Sequence, residues 1–249
     1  MTEISRVISS ANIQEEGEKD RPLYFSLKRA FDVVLVTFSF FFLWPLFLLI
    51  AIAIKLDSPG PVLFRQERIR GKRCVKNGRV VWEHVPFTLY KFRTMRNGAS
   101  SELHRAFIRA YIAGDEQRMA ELQAEKNQQE QNRYKLTGDP RVTKVGRFLR
   151  KTSLDELPQI FNVLKGEMSL VGPRPPLPYE VALYQPWHRQ RLNTMAGITG
   201  WWQVKGRSAT TFDEMVAMDL DYIRRQSFWF DLYILAMTVP AVLRGKGAR

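Results

Sequence analysis

The longest unbroken apolar stretch runs from Val33 to Ile54, 22 residues without a charge. On a helix those side chains fall on every side, the pattern of a membrane segment rather than of a half-buried soluble helix. A straight helix of that length is about 33 Å long, enough for a bilayer core of roughly 30 Å. Pro45 stands near the middle, where it removes a backbone donor, so the pattern predicts a helix, a break and a second helix. Basic residues flank both ends: Arg21, Lys28 and Arg29 before, Lys55, Arg65, Arg68 and Arg70 after. Positive flanks favour the cytoplasmic side, so the segment is expected to re-enter and leave by one face. The polar residues ahead of it and the lack of a small-residue cleavage site argue against a cleaved signal peptide. A second apolar run, Phe228 to Leu243, is 16 residues long and contains Asp231 and Pro240. It is too short to span and reads as a core or interfacial helix.

Elsewhere the pattern is that of a folded polar domain. Residues 1–25 read as a flexible polar tail, 26–56 as the re-entrant hairpin and 57–249 as a cytoplasmic domain. VLFRQERI and VPFTLYKFRTM alternate in part, predicting two short strands or a hairpin. Residues of about 97–135 form a polar insertion with sparse apolar positions (Leu103, Phe107, Ile108, Tyr111), predicting exposed helix without a catalytic duty. Ser153-x-x-Glu156 has the spacing of a capping box ahead of DELPQIFNVLKG. Leu157, Ile160, Phe161 and Leu164 give that helix one apolar face, Pro158 belongs in its first turn, and Gly166 ends it. The expected class is α+β, predominantly helical, with a membrane-embedded N-terminal helix–break–helix and interfacial helices.

Charge changes the picture. Of 249 residues, 38 are Lys or Arg and 25 are Asp or Glu, a formal net charge of +13. Eleven of the basic residues and only three acids lie between Lys55 and Gly98, directly after the apolar run. That placement suits a membrane surface or a phosphate-bearing substrate. One cysteine, Cys74, excludes an internal disulfide and a cysteine-based zinc site, and three scattered histidines disfavour a histidine metal site. Neither GxGxxG before a helix nor GxxxxGK[ST] is present.

The strongest candidate chemistry is Asp155-Glu156 at a helix start. Acids there ordinarily only cap and complement the macrodipole. Here Arg147, Arg150 and Lys151 precede them, and Gly172-Pro-Arg174-Pro-Pro follows, with prolines stiffening the backbone around one guanidinium. Such carboxylates are expected to stay ionised, as a nucleophile or a Mg²⁺ ligand beside a phosphate requires.

KRAFDV, FRQERIRG, YKFRTM, DPRVTKVGRFLRKTSLDELPQIFNVLKGEMSLVGPRPP and AGITGWWQVKGR together resemble the monotopic phosphoglycosyl transferases, over about residues 26–245. Ala196 stands where that family commonly has proline. The resemblance implies transfer of a sugar 1-phosphate from a UDP-sugar to undecaprenyl phosphate, with release of UMP. It implies that Asp155 is the nucleophile of a covalent phosphosugar intermediate, and that Asp155 and Glu156 hold Mg²⁺. It places Lys91, Arg150, Arg174, Arg207 and Asp219 at substrate or phosphate. It puts the catalytic domain on the cytoplasmic face of the bacterial inner membrane, with membrane lipid as a partner and nucleic acid not one, at the first step of exopolysaccharide, O-antigen or capsule assembly. Asp219-Leu-Asp221 also spells a DxD, discounted because i and i+2 on a helix point apart. A membrane-anchored nucleic-acid-binding protein lacks its motifs. A non-catalytic scaffold is disfavoured by the presence of both acids, and an ordinary glycosyltransferase would release UDP. The sugar stays open, with glucose and galactose leading, and so does a homo-oligomer.

Overall fold

The computed structural model describes residues 21–76, 79–96, 102–124, 141–206 and 210–243. Residues 1–20 of the expected tail, 97–101 and 125–135 of the expected insertion, and Arg207 lie outside them. The described chain is mostly helical with two small sheets, as its pattern predicts.

A single helix, α1 (Pro22–Asp57), carries the apolar run. The break expected at Pro45 does not divide it: the helix continues through the proline. Proline removes one hydrogen bond and adds one clash. Packing holds both neighbouring turns against the domain, because Phe40 and Phe47 both meet Phe161 edge-on. One stripe of α1 is buried toward both ends, at Tyr24, Lys28, Asp32 and Val36 in the first half and at Ile50 and Ile54 in the second, with no buried residue over 37–49. The spacing of four keeps these residues on one face. The rest is bare. Only 11% of the most apolar 18-residue window is buried, and Phe38, Phe41, Phe42, Trp44, Leu48 and Leu49 are all exposed. A soluble core helix would be covered; this one presents apolar surface that calls for lipid or a partner.

The expected short strands are one long antiparallel hairpin, β1 (Leu63–Lys76) against β2 (Arg79–Phe92), with Phe64 opposite Lys91. In the insertion, α2 (Glu102–Ala113) and α3 (Glu116–Ala124) close a small core of Phe107, Ala110, Met119 and Leu122. The Tyr111 hydroxyl donates to the Thr210 carbonyl at 3.0 Å, docking this unit on the main body. Next come α4 (Lys144–Thr152), a 3-10 helix (Leu154–Gln159) and α5 (Ile160–Leu164).

Strands β3 (Ser169–Val171) and β4 (Gly197–Thr199) pair in parallel. The chain then forms α6 (Trp201–Lys205), α7 (Phe212–Arg225) and α8 (Phe228–Leu243). The second apolar run is therefore α8. It buries Phe230 and Ile234 in the main core and exposes Trp229, Tyr233 and Val239.

The two strands approach so closely that a Cβ on Gly197 would lie 2.1 Å from the Gly172 nitrogen. That neighbour is backbone and cannot swing aside. Gly197→Ala is expected to cost about 3 kcal/mol or more, read as a lowered Tm. An unchanged Tm would show that the strands can separate.

Candidate active site

The two acids sit where two helices meet. Thr143 caps α4, its hydroxyl accepting from the Gly146 N–H at 3.0 Å. The helix ends at Ser153, whose φ of 57° makes it the one non-glycine residue with positive φ among the described residues. That left-handed conformation costs about 1–2 kcal/mol and turns the chain sharply into the 3-10 helix. It also undoes the expected capping box, since an N-cap needs an extended backbone. Ser153 makes no side-chain cap. Glu156 is thereby free to face the neighbouring strand. Pro158 lies inside the 3-10 helix, and Gly166, with φ of 74°, follows α5 as expected.

The apolar face behind the acids differs from the periodic expectation. Ile160 and Val163 are buried, while Leu157, Phe161 and Leu164 are only partly so. Asn162 is buried among them as a connector. Its amide donates to the Thr88 carbonyl at 2.7 Å and accepts from the Tyr90 N–H at 3.1 Å. It thereby registers β2 against the acid-bearing segment and puts the next residue, Lys91, beside the acids. No sequence pattern pointed to Asn162; its only signal is a polar residue on an apolar helix.

Lys91 Nζ lies 2.6 Å from Glu156 Oε1 and 4.0 Å from Asp155 Oδ2. Arg174 Nη1 lies 3.7 Å from Glu156 Oε1. Burial works to raise Glu156, but Lys91 and then Arg174 more than reverse it, holding the carboxyl at about 2. Burial instead raises Asp155 above the ordinary carboxylate range, and Lys91, Arg150 and Arg174 offset this only in part. The two acids expected to behave alike are thus driven apart, as environments that separate acid roles do. Burial lowers Lys91, with Glu156 opposing it.

The remaining residues surround this pair. Arg150 Nε donates to Thr94 Oγ1 at 2.9 Å, close enough for its charge to act on Asp155. Arg68, which the motif reading passed over, is buried and donates to the Pro175 carbonyl at 2.9 Å, so β1 grips the Pro-rich loop. Burial, then Arg174, lowers the Arg68 guanidinium to about 10. A narrow pocket with room for about one water, lined by Arg68, Lys91, Glu156, Gln159, Arg174 and Gln203, lies between these elements. Loss of hydration and the charges of Arg68, Arg174, Arg141 and Arg150 push the His104 imidazole on α2 down to about 4. The insertion therefore stands beside the arginine cluster.

Asp219 is not brought into the pocket. It is 1% exposed and grips Arg191 at 2.6 and 2.8 Å. Arg191 in turn donates to the Tyr184 hydroxyl at 2.8 Å and the Arg174 carbonyl at 3.4 Å. Burial pushes Asp219 up to about 6, with Arg191 opposing. Asp219 therefore braces the loop that carries Arg174. Among the described residues no group of three His, Cys, Asp or Glu could hold a metal. The two adjacent carboxylates do suit Mg²⁺ of the kind that completes its coordination with substrate phosphate and water.

A family model described as bacterial sugar transferase matches residues 23–245. The chain belongs to the bacterial sugar transferase family. Among curated members, it is 39% identical over 244 residues to the UDP-glucose:undecaprenyl-phosphate glucose-1-phosphate transferase of Xanthomonas campestris pv. campestris, covering 94% of this chain and 42% of that protein. It is 41% identical over 191 residues to the galactosyl transferase CpsE of Streptococcus agalactiae serotype III, covering 76% of this chain and 36% of CpsE. It is 37% identical over 236 residues to the exopolysaccharide production protein ExoY of Rhizobium meliloti, covering 95% and 94%. This sugar transferase thus spans about four-tenths of the first two relatives and nearly all of ExoY.

Proposed function

We propose that this chain transfers a sugar 1-phosphate from a UDP-sugar to undecaprenyl phosphate, giving undecaprenyl-diphosphate-sugar and UMP. The observation that carries the reading is the asymmetry of the acid pair. Lys91 pins Glu156, while Asp155, 4.0 Å from the same ammonium, lies under the charges of Arg150 and Arg174 beside the pocket that Glu156 lines. A pinned carboxylate is a poor nucleophile, and a neighbour without that close contact is a better one.

In this mechanism an Asp155 oxygen attacks the β-phosphorus of the donor. The bond from that phosphorus to the bridging oxygen breaks, and UMP leaves with the electron pair. An oxygen of the lipid phosphate then attacks the phosphorus of the phosphosugar–Asp155 mixed anhydride, and the aspartate leaves as a carboxylate. Arg174 and Arg150 neutralise phosphate oxygens, for which the guanidinium fork is suited. Lys91 keeps Glu156 ionised and oriented. Asp155 and Glu156 would hold Mg²⁺, which supplies charge neutralisation at the pyrophosphate.

Membrane placement follows from the exposed faces of α1 and α8. Both halves of α1 pack on the same domain, which supports both ends of the unbroken helix lying on one membrane face with its bare side in lipid. On this reading the domain lies on the cytoplasmic face of the inner membrane, where UDP-sugars are found. Relatives named for undecaprenyl-phosphate glucose and galactose transfer support the lipid acceptor and these two sugars as first donors to try.

The test is the nucleotide released from a panel of UDP-sugars with Mg²⁺ and undecaprenyl phosphate. UMP released beyond one equivalent of enzyme only when the lipid is present, and stopped when a chelator removes the metal, is the expected result. UDP in its place would move the chain to sugar transfer without phosphate. Tags before Arg21 and at the C-terminus are expected on the same membrane face; accessibility from opposite faces would overturn the re-entrant topology.

A further inference from the structure

We propose that Arg29, at the start of the membrane helix, is a positioning residue that holds the acid-bearing segment in place. The inference rests on the proposed function for its kinetic arm and on structure alone for its second arm.

Lys28 and Arg29 have the sequence appearance of lipid-facing flank charges. The structure turns both inward. Lys28 is 3% exposed and pairs with Asp231 of α8 at 2.7 Å. Arg29 Nη1 donates to the Val163 carbonyl, and Nη2 to the Leu164 carbonyl at 2.7 Å. Three residues on, Asp32 accepts from the Leu170 N–H of β3 at 3.3 Å.

The Arg29 bonds fall on one end of a continuous rod. The 3-10 helix and α5 together run from Leu154 to Leu164. Asp155 and Glu156 occupy the first turn; Val163 and Leu164 occupy the last. The last carbonyls of a helix have no partner within it and carry its negative pole. Gly166, with φ of 74°, turns the chain away directly after the rod, and the Arg29 guanidinium lies beside that turn. Arg70 of β1 adds a longer contact, 3.4 Å to the Gly166 carbonyl. The rod is thus gripped at its far end by the membrane helix and registered along its side by Asn162. Its near end presents the acids, with Glu156 held by Lys91. A shift along the rod would move Asp155 relative to a phosphate held by arginines on other elements. Misplacement of about 1 Å costs on the order of 100-fold in rate.

The experiment uses the full chain in lipid nanodiscs, with Arg29→Ala and Arg29→Lys. Arg29→Ala is expected to lower kcat for UMP release by roughly tenfold to 100-fold, with KM for the UDP-sugar within about twofold. Added guanidinium ion is expected to restore part of that loss. Arg29→Lys, a point charge that cannot bridge two carbonyls, is expected to fall between. Amide hydrogen exchange over residues 160–166 is expected to quicken in Arg29→Ala.

Unchanged kcat in Arg29→Ala would overturn the proposal. So would a loss that merely tracks the folded fraction and is not rescued by guanidinium. If the wild-type chain releases no UMP, the functional reading fails by itself. Hydrogen exchange then decides for Arg29, and unchanged protection at 160–166 overturns its role.

Discussion

Asp155→Asn is expected to reduce UMP release on the order of 10⁴-fold or more. Asparagine keeps the size of the side chain but cannot form the mixed anhydride with phosphorus. The substitution removes a charge from a site that burial already disfavours, so folding should survive and Tm should hold or rise. A Glu156→Gln comparison sharpens the test. It leaves the attacking oxygen in place and takes away the partner of Lys91, so the ammonium is left buried beside Asp155. Its losses are expected in both rate and Tm. If Asp155→Asn keeps UMP release within about tenfold of wild type, a covalent aspartyl mixed anhydride has no place in the reaction. The lipid phosphate would then attack the donor directly.

Lys28→Met is expected to give the largest loss of stability, about 3–5 kcal/mol, because it strands a buried charge. Asp231 would keep the Tyr24 and Tyr222 hydroxyls, each donating at 2.9 Å, but lose its cation. Denaturant unfolding in a mild detergent reads the change. The double variant Lys28→Met/Asp231→Leu removes both charges and is expected to lose less than Lys28→Met alone. The size of that difference reports how firmly α1 is fastened to α8. A loss under about 1 kcal/mol for Lys28→Met would mean that the pair is solvated and does not fasten the two helices.

Much of the candidate site was legible because its residues are close in the chain. Asp155, Glu156, Arg150 and Arg174 stand within 25 positions of one another, flanked by turn and cap signals that local rules can read. Lys91 was reached only through resemblance, since its partner lies 65 residues away. Arg68, Asn162 and Arg29 were not seen as site residues. Each does its work by a hydrogen bond to distant backbone, and backbone partners leave no mark in the sequence. Asp219 shows the converse. A motif position suggested a substrate contact, whereas packing placed the carboxylate against Arg191, behind the loop it braces.

Composition and order alone established a long apolar helix, a basic belt after it and a polar domain with an acid pair, while the family came from resemblance over nearly the whole chain. The helix, the belt and the acid pair follow from local properties: hydrophobicity, charge and spacing act over a few residues and survive without a fold. Tertiary structure decided which charges face lipid and which are buried, because burial depends on what a helix packs against. It made the helix continuous at Pro45, where packing on Phe161 outweighs one lost hydrogen bond. It also separated two adjacent carboxylates into a pinned anion and a candidate nucleophile, since the ammonium from β2 lies 2.6 Å from one and 4.0 Å from the other.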